Sequence, residues 1–155
     1  MDTEQFIRDY LAQVVHMSLA TSANNQPWVC EVHFAYDDDL NLYWRSKSNR
    51  RHSQEIAANP HVAGNIIRQH GLKNSPVGVY FEGTAELLPA GIEQTKAFEA
   101  LRDREIAKPD ALEEAGRQNG HQFYKIIIKN WYAFGPFGEN GSSTKVQLIW
   151  NGSKK

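Results

Sequence analysis

The stretch PWVCEVHFAYDDDLNLYWRSKSNRRHSQEIAANPHVA, residues 27–63, decides how the rest of the chain is read. Residues 28–36 and 40–45 are two runs rich in β-branched and aromatic side chains, the composition of strands. Asp37-Asp38-Asp39 between them is short and turn-forming, so the two runs are expected to pair as an antiparallel hairpin. The three carboxylates lack the spacing and the glycine of a calcium loop and read as a solvated turn. Arg45, Lys47, Arg50, Arg51 and His52 then crowd into one short segment. Asn49 is the expected N-cap of a helix over residues 50–58, which Asn59-Pro60 stops. Cations placed where a strand feeds a helix N-terminus favour a phosphate, because unpaired N–H groups and the dipole point at it. Arginine can fork two bonds to phosphate oxygens, and Ser46 and Ser48 add hydroxyl donors. The same run also reads as a solvated charged turn, and charge alone does not separate the two.

Upstream, Phe6, Ile7, Tyr10, Leu11, Val14 and Val15 make one stripe of an amphipathic helix over residues 2–15, with Asp2 and Gln5 as a capping pair. Residues 16–22 read as a strand. Downstream come a strand over 61–67, a polar loop over 69–75 and a long strand over 77–88. Gly83 within that strand predicts a bulge or a close approach by another group. Residues 89–119 read as helical. Ile92, Thr95, Phe98 and Leu101 give one face, Pro109 breaks it, and Ala111, Leu112 and Ala115 mark a second short helix. An aromatic-rich strand over 123–134, a Gly/Ser/Asn loop over 135–143 and a strand over 145–150 complete the pattern, ahead of the polar tail 151–155. There is no internal repeat and no dividing linker, so residues 1–155 are expected to form a single domain. The expected class is mainly β: an antiparallel barrel with peripheral helices.

Composition excludes several functions. The formal charge of −1 lacks the broad basic field of non-specific nucleic-acid binding. One cysteine rules out an internal disulfide framework and fits a reducing compartment. The N-terminus has no charged region before an apolar run, and the longest apolar runs are too short to span a bilayer. A cytoplasmic protein with neither nucleic-acid nor membrane partners is expected. No G-x-S-x-G elbow occurs, and Cys30 lacks the local signature of a nucleophile. The six histidines are scattered without zinc spacing, so no metal is expected. Gly135, Gly138 and Gly141 have the wrong spacing for a dinucleotide fingerprint.

One ordered series is more specific than any of its parts. Pro27, Val29 and Val32 are followed by Leu42-Tyr43-Trp44-Arg45-Ser46, then Arg50-Arg51-His52, then Asn59-Pro60-His61-Val62, then Glu82-Gly83-Thr84-Ala85-Glu86-Leu87. Over roughly residues 14–90 this order resembles the pyridoxamine 5'-phosphate oxidase-like family, the FMN-binding split barrel. The resemblance implies a six- to seven-stranded antiparallel split β-barrel with peripheral helices, forming a homodimer with two FMN sites at the subunit interface. FMN would be bound non-covalently and would supply two-electron chemistry towards an unknown small-molecule substrate, so no protein residue is assigned as catalytic.

Carried over, Cys30, Glu31 and Val32 would run beside the isoalloxazine and ribityl chain, and the next strand would add Arg45 and Ser46. Arg50, Arg51 and His52 would hold the phosphate, with Arg51 mattering far more than Lys47. Trp131, Tyr132 and Trp150 would be candidates to cover the partner's flavin. This chain departs from the family pattern at His52, where many members carry lysine, and at Glu31, where proline is common. Other readings stay open: a reductase using the deazaflavin coenzyme, a non-catalytic flavin- or haem-binding or stress-related protein, or an interaction module that has lost its cofactor.

Overall fold

Helix α1 (Thr3–Leu11) opens the computed structural model, which describes residues 1–150. Asp2 caps it by accepting from the Gln5 N–H at 3.1 Å. The helix stops short of residue 15 because its last turn tightens: Gln13 N–H donates to Tyr10 O and Val14 N–H to Leu11 O. Arg104, just past a later helix, donates to Leu11 O at 3.2 Å and also to Val14 O, satisfying carbonyls that the helix end leaves open.

Strands β1 (His16–Ala23) and β2 (Gln26–His33) pair in continuous register from His16↔His33 to Ala23↔Gln26. Asn24 and Asn25 both have positive φ, the backbone that a tight two-residue hairpin turn requires. Beyond β2 the expectation of one strand over 28–36, paired with its successor, is corrected. Phe34 and Ala35 are buried one after the other, which breaks the two-residue alternation. The Phe34 N–H donates to Val15 O at 3.0 Å and turns the chain. Past this turn lies a separate short strand, β3 (Ala35–Tyr36), and only this pairs with β4 (Leu42–Lys47).

Strands β5 (His61–Ile66), β6 (Gly78–Leu88), β7 (His121–Gly135) and β8 (Thr144–Gln147) complete one eight-stranded antiparallel sheet. Its order is β2-β1-β5-β6-β7-β4-β3, with β8 also on β7. The two ends of that order, β2 and β3, are joined through Phe34 alone. The sheet must therefore curl until its ends meet without hydrogen bonds closing them, which makes it a split barrel. The class expected from sequence stands. The strand count is eight rather than six or seven, because the run through Phe34 is two strands.

The barrel core gathers side chains from both ends of the sheet, including Leu19, Trp44, Ile66, Phe81 and Trp131, packed against α1. Each such side chain contributes roughly 1.5–3 kcal/mol by burial. Between β6 and β7 the register slips at Gly83. A Cβ there would collide with the Ile127 carbonyl oxygen, so the bulge and the close approach expected at this glycine are one feature. A second core lies under α3 (Ile92–Asp103) and α4 (Ala111–Ala115). The face of α3 differs from expectation: Gln94, Ala97 and Leu101 are buried while Ile92 is 76% exposed. Gln94 turns inward because its amide donates to Leu88 O at 3.3 Å, capping the end of β6.

Candidate functional site

Strand β4 delivers Arg45, Ser46 and Lys47 to one wall of a cavity of about 520 Å³. The chain then turns, with Arg50 N–H donating to Lys47 O at 3.1 Å, and α2 (Arg51–Ala58) begins. Asn49 is not its cap. Arg50 has the extended cap conformation (φ −70°, ψ 149°), and its carbonyl takes the first helical bond, from Gln54 N–H. An arginine side chain has no acceptor, so no side chain caps the first-turn N–H groups, and no acid lies in that turn. Arg50 and His52 line the same cavity. Glu31, Val32 and His33 of β2 form a second wall. Ile106 and Lys108 of the α3–α4 connection, Glu114 of α4 and His121 of β7 form the third.

Two hydrogen-bonded groups organise these walls. His52 Nε2 lies 2.6 Å from Ser46 Oγ, both buried. Burial, then the nearby Arg50 charge, lowers the His52 pKa against a weaker pull from Glu55, so the ring is neutral near pH 7. On the third wall, Arg45 Nη2 donates to Glu114 Oε2 at 2.7 Å. Glu114 Oε1 lies 2.7 Å from His121 Nδ1 and accepts the His121 backbone N–H at 3.1 Å. Those donors, Arg45 first, pull the Glu114 carboxyl down to about 2. The Arg45 guanidinium sits over the Phe123 ring, 5.1 Å from its centroid, and its Nε is buried without a partner.

The lining holds four cations (Arg45, Lys47, Arg50, Lys108) against two carboxylates (Glu31, Glu114), a net +2 before its histidines are counted. Among the described residues, Lys47, Arg50 and Lys108 join no ion pair. A phosphate monoester carries up to two negative charges near neutral pH. The residues present therefore fit a phosphate-bearing group in charge and in donors.

Of the residues singled out in sequence, Glu31, Val32, Arg45, Ser46, Arg50 and His52 line this one cavity. Glu31 is also tied to its own sheet, by His16 Nδ1 at 2.7 Å and by the Ser18 hydroxyl. Burial alone would raise its carboxyl, but the Ser18 and His16 bonds bring it below the ordinary value. Three residues lie elsewhere. Arg51 turns out of the cavity, pairing with Glu55 at 2.8 Å and stacking on Trp28 at 4.1 Å from the ring centroid. Cys30 packs half-buried against the barrel core, and burial, then Glu31 and Glu55, push its thiol pKa up. Trp131 is wholly enclosed, edge-on to Phe81 with its indole N–H donating to Leu40 O at 3.2 Å, so its ring is barrel packing. Tyr132 donates to Glu82, and Trp150 packs half-buried on the core.

Sequence reasoning missed Lys47 as a lining residue, and it missed Lys108, Glu114 and His121 altogether. No local motif marks the last three. The pairing of β7 with β4 sets His121 opposite Lys47, and Glu114 is held there by its bonds to Arg45 and His121. Among the described residues no group of three His, Cys, Asp or Glu could hold a metal, and no helix is long and apolar enough to cross a membrane.

A one-sheet antiparallel split barrel with a basic cavity at a strand-to-helix junction defines the class. Residues 3–135 match the sequence profile of pyridoxamine 5'-phosphate oxidase, and the chain belongs to that family. It is 24% identical over 108 residues to a UPF0306 protein of Yersinia pseudotuberculosis serotype O:3 (strain YPIII), an alignment spanning 69% of this chain and 74% of that one. Its fold is similar to that of HutZ, the haem storage protein from Vibrio cholerae, with a TM-score of 0.68 at 15% identity over 83% of this chain and 92% of the other. It is also similar to that of an FAD-binding protein from Mesorhizobium loti, with a TM-score of 0.64 at 24% identity over 86% and 94%.

Proposed function

We propose that this protein binds FMN non-covalently in the basic cavity and serves as a flavin-dependent oxidoreductase towards a small substrate. The observation that carries the reading is the N-terminus of α2, without a side-chain cap, opening beside Lys47 and Arg50, two cations that no carboxylate among the described residues neutralises. Arg50 would supply a forked donor and Lys47 a point charge to the phosphate oxygens. The neutral His52 would donate its Nε2 proton to Ser46 Oγ, leaving the serine hydroxyl free to donate to the ligand. Val32 would give the ring system an apolar wall. Bound FMN would supply two-electron transfer. Glu31, held ionised by Ser18 and His16, would disfavour extra negative charge on a ring close to it.

The protein would act in the cytoplasm as a homodimer. The exposed, apolar part of β2 supports a second copy: Val29 is 59% and Trp28 41% exposed on a strand that, among the described residues, pairs only with β1. The test is the visible absorption of the purified protein, with the released chromophore identified by mass and the oligomeric state measured by light scattering. A flavin spectrum with the mass of FMN and a dimer are expected. A protein that stays colourless after reconstitution with FMN, or that releases haem or a deazaflavin, overturns the reading.

A further inference from the structure

We propose that the His52–Ser46 pair makes anion binding in this cavity proton-linked: the ligand's negative charge enters together with a proton taken up by His52, so affinity rises as pH falls. The inference rests on the reading of the Lys47–Arg50 side as the flavin-phosphate site.

The pair is placed to change charge without changing its bonding. His52 is the second residue of α2 and lines the cavity, with Nε2 2.6 Å from the buried Ser46 Oγ. Its other ring nitrogen, Nδ1, has no partner among the described residues. With the proton on Nε2 and donated to Ser46, Nδ1 is an open acceptor. A proton added there makes an imidazolium that still donates to Ser46, so charging breaks no hydrogen bond. Without a ligand the surroundings resist that charge. Burial and the Arg50 guanidinium lower the His52 pKa, and Glu55, itself shared with Arg51 at 2.8 Å and the Thr21 hydroxyl at 3.0 Å, opposes them more weakly. From β4 come Lys47 and Arg45, the latter paired with Glu114. Strand β2, which also touches α2, adds Glu31, His33 and the Cys30 thiol, which burial keeps protonated. Lys108 and His121 complete the cavity's charged and titratable lining. The buried side chains of β1 and β6, the other strands against α2, include no titratable group among the described residues. A phosphate carrying up to two negative charges reverses the balance, because it offsets Arg50 and Lys47 and itself attracts an imidazolium. The His52 pKa is therefore higher with the ligand than without it, and by linkage the ligand binds more tightly wherever the proton is taken up. The gain begins as pH falls through the liganded value and is complete below the ligand-free one, which lies under the ordinary 6.5.

The test uses the whole protein as wild type, as His52→Gln, which keeps a donor for Ser46 and stays neutral, and as His52→Lys, which stays charged. FMN affinity is measured by flavin fluorescence between about pH 8 and about pH 6, the range in which histidine charge changes. Proton uptake on binding is counted by calorimetry in buffers of different ionisation enthalpy. The phosphate's own protonation, His33 and His121 enter all three proteins alike, so ratios to wild type isolate His52. The wild-type advantage over His52→Gln should grow about tenfold towards pH 6, within the limit of about tenfold per pH unit that one proton sets. Wild type should also take up more protons than His52→Gln. His52→Lys should bind more tightly than wild type near pH 8 and lose that lead towards pH 6. A ratio of wild type to His52→Gln that is constant with pH, or equal proton uptake in the two, overturns the inference. His52 is buried and a variant can lose the fold, so the wild-type His52 ring is also followed by NMR. Phosphate should move its titration to higher pH, and an unmoved titration overturns the inference. Should FMN fail to bind, the flavin reading falls, and inorganic phosphate titrated into flavin-free protein reads the same linkage. Phosphate that neither binds nor moves the His52 titration there overturns the inference as well.

Discussion

Two cavities of similar size carry opposite charge, and only one has the character of a ligand site. The acidic one, about 560 Å³, is lined by Asp37, Asp38, Asp39, Glu93, Glu99 and Asp103. Three of these six carboxylates are engaged by the protein: Asp37, Glu93 and Asp103, the last paired with Arg102 at 3.0 Å. Asp37 accepts from the Asp39 and Asn41 N–H groups and from the Tyr43 hydroxyl at 2.8 Å. Glu93 takes Lys125 at 3.1 Å and Lys96 at 3.3 Å, which hold its carboxyl below the ordinary value. The basic cavity instead keeps Lys47, Arg50 and Lys108 unmatched beside an uncapped helix start. The amount of charge does not distinguish the two. The difference is the helix start: Lys47 and Arg50 stand beside free N–H donors that an anion can also take, whereas Asp38, Asp39 and Glu99, equally unpaired among the described residues, have no such second set of partners in their cavity.

The sharpest way to break this contrast is to remove one unmatched cation. Arg50→Ala should weaken FMN binding by about 1.5–3 kcal/mol, roughly ten- to a hundredfold, the range for hydrogen bonds to charged groups. Asp38→Asn in the acidic cavity should leave that affinity unchanged. Equal losses in the two variants, measured by fluorescence titration, would mean that overall charge rather than a built site governs binding.

In the acidic cavity the expected effect is on stability. Tyr43 is buried, and burial together with the Asp37 bond raises its hydroxyl pKa far above the usual range. Tyr43→Phe deprives Asp37 of a donor and should cost about 1–2 kcal/mol in urea unfolding, with FMN affinity unaltered. A change in flavin affinity without a loss of stability would join the two cavities into one functional unit.

The different natures of these cavities also explain how much of each is visible in sequence. The strand–turn–helix junction is local, so Ser46, Arg50 and His52 are legible from their spacing. The acidic turn is legible for the same reason. The break at Phe34 is not, because nothing in residues 28–36 shows that the run turns from pairing with β1 to pairing with β4. Arg51 is misplaced by sequence because a one-residue shift of the cap, from Asn49 to Arg50, rotates each later side chain by about 100° around the helix. Glu114 and His121 leave no trace in the local pattern, since 69 residues separate Arg45 from Glu114 along the chain.

A pH titration probes an internally satisfied group of the basic cavity. Glu114 has its pKa depressed from an ordinary 4.5 to about 2 by Arg45 and His121. Such a carboxylate contributes stability in full above the unfolded value, and the contribution is lost as pH falls from about 4.5 towards 2. Wild type should therefore lose melting temperature over that window more steeply than Glu114→Gln, which has no such proton to take up. Parallel acid limbs in the two proteins would show that the Arg45–Glu114–His121 array adds nothing to folding.

The smallest effect should come from a residue that the sequence ranked above Lys47. Arg51 is bound to Glu55 one turn along α2 and stacked on Trp28, and its side chain is 47% exposed. A helical pair of this spacing contributes about 0.2–0.5 kcal/mol, and an exposed cation–π contact about 0.5–1 kcal/mol. Arg51→Ala should thus lower stability by about 0.7–1.5 kcal/mol and change FMN affinity less than threefold, while Lys47→Ala, inside the cavity, weakens binding more. The reverse order would mean that the Trp28 stack opens when ligand binds and releases Arg51 to the phosphate. The contrast between the two cavities would then describe the ligand-free protein alone. Repeating the comparison in Trp28→Ala distinguishes the two: a side chain already free of the ring would bind phosphate more readily, and only an Arg51 that reaches the site can raise the affinity of that variant.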